Sequence, residues 1–237
     1  MFAGSVRLLR WWSQVTSPRG NDDLSMSIGP AVRRMLGPIE APISSAYRSM
    51  FINIGELGKV IDAVPFGPRV LEVGVGDGMI ATQITTRRPD ATVLGIDLAE
   101  NPGSLFEGDP TRAQFRTIST SDLLAEKPEP FDAIVIADVL HHVPRAIRPA
   151  LLSDVSALLA DDGVLLVKES VVVSSPGYWM GKFSDLYITG DRNVSYLRER
   201  DLHQLIVDNV PGLVSSGRST IKPWKTNVLL VWRRSES

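Results

Sequence analysis

Between residues 69 and 88 a short apolar run breaks into three glycines at alternate positions and then into a helical pattern. The run, Arg69 to Val73, is too short for a helix and β-branched enough for a buried strand. Gly74, Gly76 and Gly78 follow it. Beyond them Ile80, Ala81 and Ile84 fall on one side and Thr82, Gln83, Arg87 and Arg88 on the other, which predicts a helix over 78–88. Strand, glycine turn and helix together present backbone N–H groups and a helix N-terminus to a ligand. Glycine is needed there because φ must be positive and the ligand must reach the backbone.

The chain beyond the turn repeats the same alternation. Strands are expected at 92–96, ending on Asp97, then at 114–118, at 131–137 and at 163–167. A helix over 145–159 has Ile147, Leu151, Leu152, Val155, Leu158 and Leu159 on its apolar side. Residues 98–112 are interrupted by Gly and Pro, so any second helix is short or irregular. Strands that are apolar throughout, alternating with helices, imply a parallel sheet covered on both faces. A helix at 198–209 and two strands at 214–222 and 226–233 close the chain, the last two near enough to pair antiparallel. The expected fold is therefore α/β and doubly wound, with a mostly parallel seven-stranded, Rossmann-like sheet and an antiparallel C-terminal strand.

Composition narrows the function classes. At 237 residues the chain suits one domain with or without a cap. The net charge of −2 supplies no basic field to recruit nucleic acid or an anionic membrane. Without cysteine there is no disulfide, thiolate nucleophile or cysteine metal site; a cytoplasmic location is the expectation. No run reaches the roughly 18 apolar residues of a spanning helix.

Residues 1–66 read as a helical N-terminal extension or cap ahead of a domain at 67–237. Helical patterns fall at 31–36 and 43–63, after a linker-like stretch at 17–31 rich in Ser, Pro, Gly, Asn and Asp. Arg7 and Arg10 interrupt any apolar run, which argues against a secretory signal. Trp11 and Trp12 fit either an interfacial segment or, the preferred reading, a short helix docked on the domain. The connection at 174–196, with Tyr178, Trp179, Phe183, Tyr187 and Tyr196, reads as a lid with stacking faces or as ordinary loop packing.

The glycine turn discriminates between ligands. A dinucleotide fingerprint needs G-x-G-x-x-G, and Met79 stands at its third glycine. A phosphate loop needs Gly-Lys-Ser/Thr, which is absent. The pattern present, Glu72-x-Gly74-x-Gly76-x-Gly78, resembles the first motif of class I S-adenosylmethionine-dependent methyltransferases. Gly95-Ile-Asp97, Ser121-Asp122, Phe131 to Val143, Leu159 to Val167 and the terminal strand pair are similar to later stretches of that family. The resemblance covers about residues 69 to 233. It implies S-adenosyl-L-methionine as cofactor, cradled by Glu72, Gly74, Gly76, Gly78, Asp97, Leu98, Ser121, Asp122 and Asp138, with Asp97 on the ribose and Asp122 near the adenine amine. The structural alternatives are that Glu72 caps backbone amides, Asp97 caps a helix and Asp122 is a loop residue.

Methyl transfer from a sulfonium is chiefly a matter of positioning, and an alcohol acceptor also loses a proton. Asp138, His141 and His142 follow the fourth strand, and Glu169 ends the fifth. Adjacent strands lie about 4.8 Å apart, so Asp138 and Glu169 can face one site. His141 and His142 are the candidate catalytic residues, or they only shape the pocket. Asp138-x-x-His141 with Glu169 is similar to metal-dependent sugar O-methyltransferases of this fold, which implies Mg²⁺ on Asp138 and Glu169. Ser170 departs from that pattern, where a second acid is often found. The expected activity is O-methylation of a small hydroxylated acceptor, a sugar or oligosaccharide first and a quinone, phenol or other metabolite second. A non-catalytic binding module is the third reading, and a homodimer is compatible with the chain.

Overall fold

The structure, a computed structural model, describes residues 52–172 and 195–235. The expectations for residues 1–51 and for most of the 174–196 connection lie outside the described residues; Tyr196 lies inside them.

The described chain runs α1 (Ile54–Asp62), β1 (Arg69–Val73), α2 (Met79–Arg87), β2 (Thr92–Asp97), β3 (Ala113–Thr117), α3 (Thr120–Ala125), β4 (Phe131–Ala137), α4 (Arg148–Leu158), β5 (Leu159–Ser170), α5 (Glu199–Asn209), β6 (Leu213–Thr220) and β7 (Asn227–Arg234). The strands form one seven-stranded sheet in the order β3-β2-β1-β4-β5-β7-β6. β1 to β5 pair in parallel. β7 runs antiparallel to both β5 and β6, so the expected architecture is the one observed.

Period-two alternation divides the core between the two faces. Leu71, Val73, Ile134, Ile136, Leu165 and Val167 point to one face and pack with Leu152 and Val155 of α4 and Leu202 and Ile206 of α5. Val70, Ala133, Val135, Val164 and Leu166 point to the other and pack with Leu57 and Ile61 of α1 and Ala81 and Ile84 of α2. His203 of α5 lies with its ring 4.9 Å from that of Trp232 on β7, where its role is packing.

Several local features differ from the sequence-based expectation. Among the described residues the helix expected over 43–63 begins only at Ile54, where Asn53 caps it by accepting from the Glu56 N–H, and the helix expected over 145–159 spans Arg148–Leu158. The fifth strand was expected to begin at Gly163 and instead begins at Leu159. Asp161 and Asp162 are absorbed where the β4–β5 register shifts, with Phe131 opposite Leu159 but Ala133 opposite Val164. Ser121 and Asp122, expected after the third strand, with a loop position for Asp122 as the structural alternative, sit in the first turn of α3. Ser119 caps that helix, its hydroxyl accepting from the Asp122 N–H at 3.1 Å. Six residues give too little helical periodicity to announce α3 in the sequence.

The order of strands reverses direction between β1 and β4. The carboxyl ends of those strands carry the glycine turn on one side and the acid–histidine loop on the other. In open α/β sheets that crevice is where ligands bind.

Candidate active site

The glycine turn is held open by backbone geometry. Gly74, Gly76 and Gly78 have φ of 71°, 52° and 85°. A Cβ on Gly74 would lie 2.3 Å from a Val139 methyl carbon, so this position lets the loops after β1 and β4 close on each other. A Cβ on Gly76 would meet nothing within 4 Å, which leaves the space that a nucleoside needs beside the turn. The Asp97 carboxylate ties this turn to β2, its Oδ2 accepting from Gly76 N–H at 2.8 Å and its Oδ1 from Ala99 N–H at 2.9 Å. Each oxygen keeps lone-pair capacity for a hydroxyl. Leu98, half-buried, follows directly.

Glu72 lies beneath the turn, 2% exposed. Gly78 offers α2 no capping side chain. The Glu72 carboxyl lies beneath that helix's first turn, where the Ala81 N–H favours its charged form, and its Oε2 is buried without a hydrogen-bond partner among the described residues. Burial, then the charges of Asp77 and Asp97, push that carboxyl well above the usual range. Asp122 is partly committed: its Oδ2 accepts from the Ser119 hydroxyl at 2.6 Å. The Ser121 hydroxyl lies 3.0 Å from that of Ser119.

Across the crevice, Asp138 leaves β4 with φ of 56°, a left-handed conformation that Asp tolerates better than most residues. The next residues turn back so that Asp138, His141 and Glu169 bring one ligand atom each within 4.8 Å of one another. His141 Nδ1 lies 2.5 Å from Glu169 Oε2, and both side chains are buried. The other oxygen of Glu169 accepts from the N–H groups of Val139 at 3.1 Å and Leu140 at 2.7 Å. Glu169 accepting from Nδ1–H leaves Nε2 as the basic nitrogen of His141. The Tyr196 ring stacks on His141 at 5.0 Å and 16°. The His142 ring lies at 4.1 Å, tilted by 44°.

Two buried cations join this cluster, and neither was singled out in the sequence. Lys168, 1% exposed, donates from Nζ to Asp138 Oδ2. Arg148, 2% exposed, donates to Val143 O and to Ser195 O, each at 2.9 Å. Ser195 in turn donates from its N–H to His141 O at 2.9 Å. Burial lowers the Arg148 pKa, and the nearby Glu169 charge opposes that. The signal for Lys168 was present: a lysine in a strand otherwise apolar needs a partner.

The residues suit a metal poorly. Both Glu169 oxygens and Asp138 Oδ2 already accept hydrogen bonds, and an ammonium sits on the Asp138 carboxylate. The cluster has the composition expected for a cation site, but three of its four carboxylate oxygens are engaged by the protein itself, and Asp138 Oδ1 alone of them has no partner among the described residues.

Comparison with known proteins bears on the domain and the fold. Residues 71–165 match a family described as a methyltransferase domain. The chain is 37% identical over 117 residues to the ubiquinone biosynthesis O-methyltransferase of Xylella fastidiosa, covering 47% of this chain and 46% of that protein. It is 35% identical over 129 residues to the same-named protein of Paracidovorax citrulli, covering 51% and 52%. The chain thus spans at most about half the length of these relatives. Among solved structures, TnmH matches with a TM-score of 0.64 at 22% identity, covering 86% of this chain and 60% of that one. Mitomycin 7-O-methyltransferase MmcR gives 0.60 at 14%, covering 77% and 54%. NcsB1, solved with S-adenosylmethionine and a hydroxynaphthoic acid, gives 0.54 at 22%, covering 70% and 48%. These structural likenesses carry the fold.

Proposed function

We propose that this chain, a class I S-adenosylmethionine-dependent methyltransferase by motif and by fold, transfers a methyl group to a hydroxyl of a small acceptor with His141 as base. The observation that carries the proposal is the buried His141–Glu169 pair at 2.5 Å, set across the crevice from the glycine turn. S-adenosylmethionine, when bound, supplies a methyl group on a sulfonium leaving group. The open space at Gly76 and the carboxylate of Asp97 suit its nucleoside, with Gly74, Gly78 and Leu98 shaping the same wall. Ser121 and Asp122 are proposed for the base edge, Asp122 sharing its carboxylate with the helix cap.

The chain's own residues do the following. Glu169, anchored by the Val139 and Leu140 amides, holds the His141 ring and keeps its proton on Nδ1. Nε2 takes the proton from the acceptor hydroxyl as its oxygen attacks the methyl carbon in line. The neighbouring rings of Tyr196 and His142 restrict the imidazole. Glu72 acts indirectly, from beneath the first turn of α2.

For the acceptor, a ring hydroxyl of a phenol or quinol is favoured over the sugar first expected. The support is the relatives named for ubiquinone biosynthesis and the stacked aromatic surface of Tyr196 and His141. The test combines calorimetry with an acceptor screen. S-adenosylmethionine should bind and NADH should not. Catechols and quinols should be methylated faster than mono- and oligosaccharides. Binding of NADH alone would sink the proposal, and turnover of sugars alone would restore the first expectation.

A further inference from the structure

We propose that Lys168 is a resident cation: its ammonium occupies the charge position that a divalent metal would take among Asp138, His141 and Glu169, and so keeps that cluster closed to metal. The inference takes its interest from the catalytic reading above, but its physical claim stands on the cluster alone. Three ligand atoms within 4.8 Å of one another are a metal-like set. Such a set gathers two carboxylates, Glu169 buried and Asp138 partly exposed, and carboxylates this close call for compensating positive charge. Lys168 provides it from within the fold. Its backbone carbonyl accepts the Asp138 N–H at 2.9 Å, while its Nζ donates to the Asp138 carboxylate. Asp138 is therefore held from both ends by one residue, which fixes its left-handed turn as well as its charge.

The remaining donors are accounted for in the same way. Glu169 is bound by two backbone N–H groups and by His141. Asp138 Oδ1 is the one carboxylate oxygen of the pair that is buried with no partner among the described residues. A divalent ion entering here would have to displace hydrogen bonds at Glu169 and would meet an ammonium at Asp138. Like charges at such separations repel. Replacing Lys168 with a neutral side chain removes the repulsion and leaves a carboxylate without its counter-charge, which is the condition under which a hard cation binds.

The experiment is a Mn²⁺ titration of the full-length protein followed by electron paramagnetic resonance, without acceptor or donor. Wild type should show no specific site at submillimolar metal. Lys168→Met should gain one, at least tenfold tighter than any wild-type binding, and Lys168→Met combined with Asp138→Asn should lose it. Lys168→Arg, which keeps the charge, should behave as wild type. A specific wild-type site abolished by Asp138→Asn overturns the proposal. So does a folded Lys168→Met protein, judged by circular dichroism, that binds Mn²⁺ no better than wild type. Should Lys168→Met not fold, the wild-type and Lys168→Arg titrations decide alone: a specific site in either overturns the proposal, and its absence from both bears it out. S-adenosylmethionine calorimetry on wild type is read separately, so failure of the methyltransferase reading cannot be mistaken for failure of this one.

Discussion

At the scale of single residues, the side chains around the crevice divide into those that act and those that hold. His141→Ala should lower kcat by about 10²–10⁴-fold while leaving S-adenosylmethionine binding measurable by calorimetry, because it removes proton transfer and not the glycine turn. Glu169→Gln keeps the shape and the bonds from Val139 and Leu140, but Gln can offer its N–H₂ where a carboxylate could only accept. It should therefore lower kcat and distort the acid limb of the pH–rate profile, with less effect on donor affinity. Glu72 belongs to the holding group and carries a pH signature. Its carboxyl, raised by burial and then by Asp77 and Asp97, keeps its proton in the folded state after the unfolded chain has lost it. The folded state then binds more protons across that window, so this residue's contribution to stability falls as pH rises above the ordinary carboxylate range. In thermal melts without ligand, Glu72→Gln should gain on wild type as pH rises above the ordinary carboxylate range and converge with it below about pH 4. Gly74, Gly76, Gly78 and Asp97 could be recognised in the sequence because their chemistry is local. Lys168 and Arg148 could not be assigned so directly, because their roles depend on partners 30 and 47 residues away.

At the scale of elements, the site hangs on short connections and helix ends. Arg148 begins α4 and reaches the carbonyls of Val143 and Ser195, and Ser195 grips the backbone of His141. The Arg148 guanidinium thus ties down the backbone that carries the stacked Tyr196 and His141 rings. Arg148→Met leaves those part-buried carbonyls without their donor, at a cost of up to about 1–3 kcal/mol each. It should lower the melting temperature and also lower kcat beyond what the folded fraction explains, whereas Arg148→Lys, with a single donor head, should recover part of each. Ser119→Ala should cost about 0.5–2 kcal/mol through the lost cap of α3 and should release Asp122 from the Ser119 hydroxyl. Periodicity located α2, α4 and α5 because each presents more than two turns of apolar spacing to the sheet. It passed over α3, and it placed the start of β5 at Gly163 because Asp161 and Asp162 look like a turn when their neighbours across the sheet are unknown.

At the scale of the whole molecule, a doubly wound, mostly parallel seven-stranded sheet with an antiparallel C-terminal strand was legible because apolar strands alternating with helices leave few topologies, while the order β3-β2-β1-β4-β5-β7-β6 emerged only in the structure. What it does for function is to set two independently built loops face to face at one reversal point. A ligand bridging them should stabilise the entire sheet: at a hundredfold excess over its dissociation constant, S-adenosylmethionine should add about 2.7 kcal/mol. For a domain of this size that is a rise in melting temperature of about 5–10 °C. NADH at the same concentration should leave the melt unchanged. The acceptor's identity was not legible in the same way, since no local spacing encodes a surface assembled from distant segments. One bond bears on how that surface could change over evolutionary time. Val172 N–H meets Leu197 O at 3.0 Å, so the chain just past β5 and the chain just ahead of α5 are tied together. The length of chain between Val172 and Ser195 can change at small entropic cost, since closure of a loop depends only weakly on its length. The fold therefore behaves like a socket with interchangeable fittings, in which new acceptors can be tried while the proposed base, with Ser195 and Tyr196 against it, and the proposed donor cradle stay fixed.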